Sequence, residues 1–449
     1  MIKRSFLFRL FLATLVCGIG VAQTKKASVG KAGAKPEFTP PPVASANAPA
    51  GTAHPNPLNI NGAQFPRIEA DNRVTFHFNA PNAQKVAVGL VTPGQSSLAP
   101  IPVDMTKGSD GVWTLTSAPQ SPGYHNYWMF VDGAPVVDTA TNGFIGYGHL
   151  CNGYEIPEAG VDWYDLKDVP HGDIRIKNYY AKSIHAWRHI FVYTPPGYDT
   201  SAKTRYPVLY LQHGGGEDER VWTEMGHTNL ILDNLLAQGK MKPFLVVMET
   251  SAVPGAGRGI PGGGGPPAPG AGRGPTGPPG GAYGQLMVND LIPWVDANYR
   301  TLADQGHRAM AGLSMGGMQT AAVTMVNLDK FSHIGLFSGG AATGFGGRGG
   351  ARGGAAAPAA PATPPPFDIK TVYNGAMADP ASFNHKVRVL FMSFGSEPPL
   401  ENPEGLKRHQ QNLAGAGITN SYIYISPGTT HEWQTWRRSL YAFAQLLFR

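Results

Sequence analysis

A serine stands between two glycines where an apolar stretch meets a helix-forming one. Residues 312–316 read Gly-Leu-Ser-Met-Gly and match the pattern Gly-x-Ser-x-Gly. A strand is predicted over 308–313 and a helix over 315–327, so the motif occupies the strand-to-helix turn that it requires. The glycines allow a sharp turn that exposes the serine hydroxyl. Ser314 is therefore predicted to be a nucleophile, and the alternative is a chance match in a glycine-rich chain.

A serine hydroxyl attacks a carbonyl group only when a base lies within hydrogen-bonding distance. His431 is the candidate, because it lies in the segment 427–433, between the last predicted strand and the last predicted helix. The chain order serine, acid, histidine is that of hydrolases with a Gly-x-Ser-x-Gly turn. The other histidines are interpreted as surface or packing residues.

The third member of such a triad is a carboxylate that orients the imidazole. It is expected in the loop after the predicted strand 387–393, and this loop contains Glu397 and Glu401. Glu397 is preferred because it lies nearer the end of the strand. For either residue the alternative is a solvated loop carboxylate.

Acyl transfer also needs two amide groups that donate to the developing oxyanion. The amide of Met315 follows the nucleophile, and the second is assigned to Gly215 in the loop 213–216, which reads His-Gly-Gly-Gly. A phosphate cradle is the competing interpretation, but no Gly-Lys-Ser/Thr follows and the acidic residues 217–219 would repel phosphate. No metal site is predicted, because no second histidine follows His431 at helical spacing. No cofactor is expected.

The elements that must position these residues begin near residue 160, where strands alternate with helices. This alternation predicts an α/β fold with a mostly parallel sheet and helices on both faces. The predicted strands are 189–193, 208–212, 244–248, 308–313, 334–338, 387–393 and 421–425, and the predicted helices are 229–238, 285–299, 315–327, 404–416 and 435–448.

Residues 61–160 have a different pattern, with short alternating segments separated by Pro-Asn and Asp-Gly turns. This pattern predicts a small all-β, immunoglobulin-like sandwich. Its aromatic residues Trp113, Tyr127 and Trp128 are interpreted as core or as packing against the second domain, which spans 161–449. The alternative is an exposed surface that stacks on glycan.

The remaining segments carry no predicted domain. Residues 1–22 have the basic, apolar and small-residue order of a signal peptide, which predicts a secreted or periplasmic protein. Their apolar run is short for a bilayer span, so no stable membrane anchor is expected. Residues 23–60 are predicted to be a flexible Ala/Pro-rich spacer, and low-complexity insertions are predicted at 254–282 and 339–366.

The formal net charge of +6 does not indicate a nucleic-acid partner. The excess of Lys and Arg lies in the signal, the spacer and the two insertions, and the rest of the chain is net negative. Of the two cysteines, Cys17 lies in the predicted signal, so Cys151 has no partner for an internal disulfide. Cys151 is interpreted as a small buried hydrophobe. The sequence does not indicate an oligomeric state.

Residues 162–449 resemble carbohydrate esterase family 1, the group with feruloyl and acetyl xylan esterases. The resemblance rests on the segments 206–216, 311–317 and 427–437, which contain the glycine loop, the nucleophile turn and the candidate histidine. It implies an α/β-hydrolase fold. It also implies that the serine of the turn is the nucleophile and the histidine is the general base.

The segment before residue 162 resembles the family 48 carbohydrate-binding-like sandwich that is often joined to such esterases. Together the two resemblances imply a substrate, namely a feruloyl or acetyl ester of plant cell-wall polysaccharide of the arabinoxylan type. The same fold and triad serve siderophore esterases of the enterochelin type and acyltransferases, which form the first alternative. A non-catalytic glycan-binding protein is the second alternative.

The predicted reaction is a two-step acyl transfer. Ser314 attacks the ester carbonyl while His431 takes its proton, the alcohol leaves, and water then hydrolyses the acyl-enzyme. Trp222 and Trp433 follow the glycine loop and the histidine in the sequence, so both are candidates for the wall of an aromatic acyl pocket. Simple packing is the alternative for both.

Overall fold

The computed structural model describes residues 35–44, 51–91, 100–253, 281–341 and 367–449. The predicted signal peptide and nearly all of both predicted insertions lie outside these residues. Residues 36–449 form one compact unit. Within the described ranges, no helix is long and apolar enough to cross a membrane.

Two antiparallel sheets form the N-terminal part of this unit. The first has the strand order β1-β2-β3-β7-β6, and the second has the order β10-β11-β8-β4-β5 with β9 paired to β8. The strands are β1 (His54–Pro55), β2 (Arg67–Ile68), β3 (Val74–Asn79), β4 (Val86–Leu90), β5 (Ile101–Asp104), β6 (Thr106–Lys107), β7 (Val112–Thr116), β8 (Gly123–Val131), β9 (Ala134–Val136), β10 (Gly143–Gly146) and β11 (His149–Ile156).

The three aromatic residues singled out in this part of the sequence are buried, as the favoured interpretation expected. Trp113 and Tyr127 belong to a hydrophobic cluster that takes side chains from both sheets. Trp128 belongs instead to the large cluster of the C-terminal part. All three are at most 6% exposed, so none of them offers a free surface for glycan stacking. Cys151 is likewise buried, with a free thiol.

Local sequence explains the tight turn between β8 and β9. Val131 pairs with Ala134, so only Asp132 and Gly133 form the turn. Both have positive φ, 49° and 85°. A two-residue hairpin of this kind requires positive φ at both positions, which is why Asp-Gly is favoured there.

An eight-stranded sheet forms the centre of the C-terminal part, in the order β12-β13-β15-β14-β16-β17-β18-β19. Neighbouring strands from β15 to β19 are parallel, and β12 and β13 extend one edge as antiparallel strands. This arrangement confirms the predicted mostly parallel sheet. The strands are β12 (Asp173–Ala181), β13 (Ala186–Thr194), β14 (Val208–Gln212), β15 (Leu245–Glu249), β16 (Arg308–Leu313), β17 (His333–Phe337), β18 (Val389–Gly395) and β19 (Ser421–Ser426).

Helices cover both faces of this sheet. They are α1 (Val221–Glu224), α2 (Thr228–Ala237), α3 (Gly281–Leu286), α4 (Ile292–Asn298), α5 (Met315–Thr324), α6 (Pro380–Lys386), α7 (Pro403–Gly415) and α8 (Trp433–Ala444), with a π-helical turn, Met287–Leu291, between α3 and α4. One core cluster joins α2 and α8 to one sheet face. Two further clusters join the five helices from α3 through α7 to the opposite face. The sequence analysis did not predict β12, α1 or α6.

The C-terminal helix connects the two parts of the unit. Every residue of α8 is buried. Arg437 donates two charge-assisted hydrogen bonds to Glu155 of β11, at 2.6 and 2.9 Å. Arg438 pairs with Glu158 at 2.7 Å, also in the interior. Buried charges lose their hydration, so such pairs persist only with well-formed hydrogen bonds.

Part of the segment predicted to be a spacer packs on this body. The indole nitrogen of Trp163 donates to the carbonyl oxygen of Pro42, at 2.9 Å. The amide of Thr39 donates to the side chain of Gln445, at 3.1 Å. Strand β1 also lies inside the range predicted as spacer.

Candidate active site

Ser314 lies at the turn between β16 and α5, as the motif predicted. Its backbone has φ 52° and ψ −114°, a conformation that non-glycine residues rarely adopt. The amide of Ser314 donates to the carbonyl oxygen of Phe337, at 2.7 Å, which stabilises the turn. A side chain at Gly316 would place its Cβ 2.4 Å from the carbonyl oxygen of His213. The second glycine of the motif therefore allows α5 to approach the glycine loop.

His431 connects Ser314 to a buried carboxylate. Its Nε2 atom lies 2.9 Å from Ser314 Oγ, and its Nδ1 atom lies 2.8 Å from Glu401 Oε1. The other carboxylate oxygen of Glu401 accepts from the amide of Gly395, at 3.1 Å. The side chain of Glu401 is fully buried and that of His431 is 5% exposed. The three groups thus form a hydrogen-bonded chain in which Nδ1–H donates to the carboxylate and Nε2 accepts from the hydroxyl.

This geometry corrects the preference for Glu397. Glu397 is exposed, and its carboxylate accepts from the hydroxyl of Ser396, at 2.8 Å. That hydroxyl also accepts from the amide of Gly428, at 2.8 Å. Glu397 therefore lies at the outside of the loop, whereas Glu401 turns back to the histidine. The carboxylate nearer the strand was the wrong choice because the loop reverses direction before α7 begins.

The loop of residues 213–216 lies beside the start of α5. His213 donates from Nδ1 to the carbonyl oxygen of Gly214, at 2.7 Å, and its Nε2 accepts from the amide of Ser251, at 3.0 Å. Both contacts require a neutral ring, and burial lowers the pKa of His213. The amide of Gly214 donates to Glu217, at 2.7 Å, and so is already engaged. Gly215 follows it in the loop.

Met315 is the first residue of α5. The first amides of a helix have no carbonyl partner within the helix and carry its positive dipole end. Its N–H is therefore oriented by the helix start, next to the nucleophile.

A small cleft of about 40 Å³ opens beside His431. One wall comes from the loop and first turn of α8, and it includes Trp433 and Trp436. The opposite wall comes from the N-terminal sheets and their loops. The residues that line the cleft are Val91, Tyr124, His125, Asn126, Tyr147, Thr430, His431, Glu432, Trp433 and Trp436.

Of the two predicted pocket tryptophans, only Trp433 lines this cleft. Trp222 is 1% exposed, and its indole nitrogen donates to the carbonyl oxygen of Gln212, at 2.8 Å. The two rings meet edge to face with centroids 5.4 Å apart, so Trp222 packs behind Trp433. The prediction that Trp222 forms a pocket wall is therefore wrong, and Trp222 is a packing residue.

The wall that the N-terminal sheets supply was not predicted from the sequence. Tyr147 reaches the cleft from the turn between β10 and β11, and Asn126 reaches it from β8. The turn is held close by a hydrogen bond from the amide of Gly148 to the carbonyl oxygen of Gly216, at 2.8 Å. No periodic signal in the sequence reveals such a contact, because it joins segments far apart in the chain.

The half-buried carboxyl group of Glu217, near the site, has a perturbed pKa. Desolvation raises the pKa of Glu217 to about 8, and the hydrogen bond from the Gly214 amide opposes this rise only in part. Among the described residues, no group of three or more His, Cys, Asp or Glu is arranged to hold a metal ion.

Residues 181–446 match the family model described as "Putative esterase". The chain belongs to this esterase family. The matched range contains the turn with Ser314, the glycine loop, His431 and Glu401. It confirms the predicted class of carboxylic ester hydrolase.

Two relatives of this esterase carry xylan-related names. The endo-1,4-beta-xylanase/feruloyl esterase of Xylanibacter ruminicola is 34% identical over 400 residues, which cover 88% of this chain and 47% of that protein. Endo-1,4-beta-xylanase Y of Acetivibrio thermocellus is 29% identical over 185 residues, which cover 39% of this chain and 15% of that protein. The chain thus spans about half the length of the first relative and less of the second.

Solved structures show the same fold. The enterobactin esterase FES from Shigella flexneri superimposes on this esterase with a TM-score of 0.52 at 15% identity. The likeness covers 83% of this chain and 92% of that one. Together with the sheet order, it identifies the fold as that of α/β-hydrolase-type esterases.

Proposed function

We propose that this esterase releases feruloyl or acetyl groups from xylan-type polysaccharide through a serine acyl-enzyme. The observation that carries the proposal is the hydrogen-bonded chain from Ser314 through His431 to Glu401. These three hydrogen-bonded residues supply the nucleophile, the base and the orienting acid of acyl transfer. The xylan-related name of the relative with 34% identity supports the substrate class.

In the proposed mechanism, Ser314 Oγ attacks the ester carbonyl carbon and His431 Nε2 takes the hydroxyl proton. Glu401 holds Nδ1–H and stabilises the imidazolium that forms. The intermediate collapses when the imidazolium protonates the leaving alcohol oxygen, which leaves an acyl group on Ser314. Water then attacks the acyl carbon with His431 as base, and the acid is released with the free serine.

The negative oxygen of each tetrahedral intermediate needs donors that are already in place. We assign this role to the amides of Gly215 and Met315. The contact between the glycine loop and the start of α5 supports the assignment, because Gly316 lies against the carbonyl of His213.

The aromatic lining of the cleft supports an aromatic acyl group such as ferulate. Tyr147, Trp433 and Trp436 contribute aromatic rings to the lining beside His431, and aromatic side chains pack favourably against planar aromatic groups. We extend the proposal to membership of carbohydrate esterase family 1, to a family 48-like role for the N-terminal sheets and to export by the segment 1–22.

The test is hydrolysis of methyl ferulate, acetylated xylan and a short-chain nitrophenyl ester by the chain and its Ser314→Ala variant. Release of ferulate or acetate that the variant abolishes, with an unchanged melting temperature, is the expected result. Hydrolysis of the nitrophenyl ester alone would retain a serine esterase and reject the polysaccharide substrate. Equal activity in the variant would reject the nucleophile itself.

A further inference from the structure

An exposed aromatic pair lies on the two antiparallel edge strands. Tyr180 of β12 and Trp187 of β13 face each other across the strands, with ring centroids 5.6 Å apart. Trp187 is 73% exposed and Tyr180 is 43% exposed. By strand alternation Ile176 and Asn178 lie on the same face of β12, and both are exposed. A cluster of large apolar side chains left in water marks an interaction site.

The pair lies at the same edge of the sheet as the nucleophile. Ile190 of β13 pairs with Glu249, the last residue of β15, so Trp187 lies beyond the carboxyl end of the parallel strands. Ser314 lies beyond the carboxyl end of β16. Strands β15 and β14 lie between β13 and β16, so the strand that carries Trp187 and the strand that precedes Ser314 lie about 14 Å apart at the usual strand spacing. An oligosaccharide spans such a distance, and a single acyl group does not.

A hydrogen bond links the strand that carries Trp187 to the segment after the glycine loop. His189 lies on the same face of β13 as Trp187, and its Nδ1 donates to Glu219, at 2.6 Å. Glu219 follows the glycine loop that contains Gly215. The path from the aromatic pair to the candidate oxyanion donors thus runs over one strand face and one loop.

We infer that Tyr180 and Trp187 form a distal subsite that stacks on sugar rings of the polysaccharide whose ester is cleaved. This inference rests on the proposed function. Aromatic faces pack against the apolar C–H faces of sugar rings, while Asn178 and His189 offer polar groups to the hydroxyls.

The size of the patch favours a glycan over a second copy of the chain. Two aromatic side chains bury about 300–500 Å² together. A stable protein interface needs about 800 Å² on each partner. A sugar chain that is also anchored at the ester needs far less area at a distal subsite.

The experiment compares the full chain with its Trp187→Ala, Tyr180→Ala and Trp187→Tyr variants. Leu166→Ala is the control, since Leu166 is 74% exposed and lies on a different segment. Kinetics are measured on methyl ferulate and on feruloylated arabinoxylan. Binding to de-esterified arabinoxylan is measured separately in a Ser314→Ala background, so that it does not depend on catalysis.

For Trp187→Ala we expect KM on the polymer and Kd for arabinoxylan to rise about three- to tenfold. Activity on methyl ferulate should stay unchanged, Trp187→Tyr should recover most of the loss, and Leu166→Ala should behave as wild type. Equal losses on both substrates, or no loss on the polymer and no change in Kd, would overturn the subsite. A change of oligomeric state on Trp187→Ala would instead identify a contact between chains. If wild type cleaves neither substrate while arabinoxylan binding still depends on Trp187, the proposed ester substrate fails and the subsite stands.

Discussion

Glu401 places one carboxylate oxygen 2.8 Å from Nδ1 of His431 and the other 3.1 Å from the amide of Gly395. Both carboxylate oxygens are therefore held in place, one by the histidine and the other by the amide at the end of β18. Glu397, in the same loop, is exposed and has no such contact with the histidine.

This difference predicts the outcome of two matched substitutions. Glu401→Gln should lower kcat about 10³- to 10⁴-fold, because the amide no longer stabilises the imidazolium or holds the productive tautomer. Glu397→Gln should leave kcat within about twofold. Steady-state kinetics on a nitrophenyl ester measure both. A larger loss in Glu397→Gln than in Glu401→Gln would return the acid role to Glu397.

The buried pair of Arg437 and Glu155 should stabilise the contact between α8 and the N-terminal sheets. Arg437→Met leaves the Glu155 carboxylate unpaired in the interior, and we expect it to lower the free energy of unfolding by about 3–5 kcal/mol. Arg73→Met removes an exposed pair with Asp71 and should change the free energy of unfolding far less. Urea unfolding compares them, and equal costs would contradict the buried contact.

Glu217 should make stability fall as pH rises. Its folded pKa of about 8 lies above the ordinary value of 4.5, so the stabilisation by the neutral carboxyl group is complete below about pH 4.5 and is lost toward pH 8. Glu217→Gln keeps a neutral group at every pH. Relative to wild type, the variant should therefore gain stability between pH 5 and pH 9, as measured by urea unfolding. A constant difference between the two proteins across this range would contradict the raised pKa of Glu217.

His409 should act in the opposite direction on the acid side. Burial lowers its pKa from 6.5 to about 4, so the neutral ring stabilises the fold above pH 6.5 and this contribution is lost as pH falls toward 4. Phe367 and Tyr373 contact the ring. His409→Leu should flatten the loss of thermal stability between pH 6.5 and pH 4. His149→Leu, at an exposed ring, is the matched control. Identical profiles of thermal stability against pH for all three proteins would reject the prediction.

Several features of the site could be predicted because their signals are local. Gly312 is required by a contact within the turn itself, since a Cβ there would lie 2.5 Å from the backbone of Gly316. The alternation of apolar strands and helices places that turn, and His431, at the carboxyl ends of parallel strands.

Other features could not be predicted because nothing local distinguishes the candidates. Trp222 and Trp433 are equally apolar, and only packing decides that one ring lines the cleft and the other lies behind it. The edge strand β12 was missed because its exposed and buried residues mix apolar and polar types.

The sequence by itself predicted the esterase class, the turn that holds Ser314, the loop that holds His431 and the positions of the central strands along the chain, because short-range sterics and periodicity specify them. Only the tertiary structure decided which glutamate reaches His431 and that the N-terminal sheets build one wall of the cleft. The physical reason is that a loop reversal and a contact between distant segments depend on the whole packed core, and no single stretch of sequence specifies either.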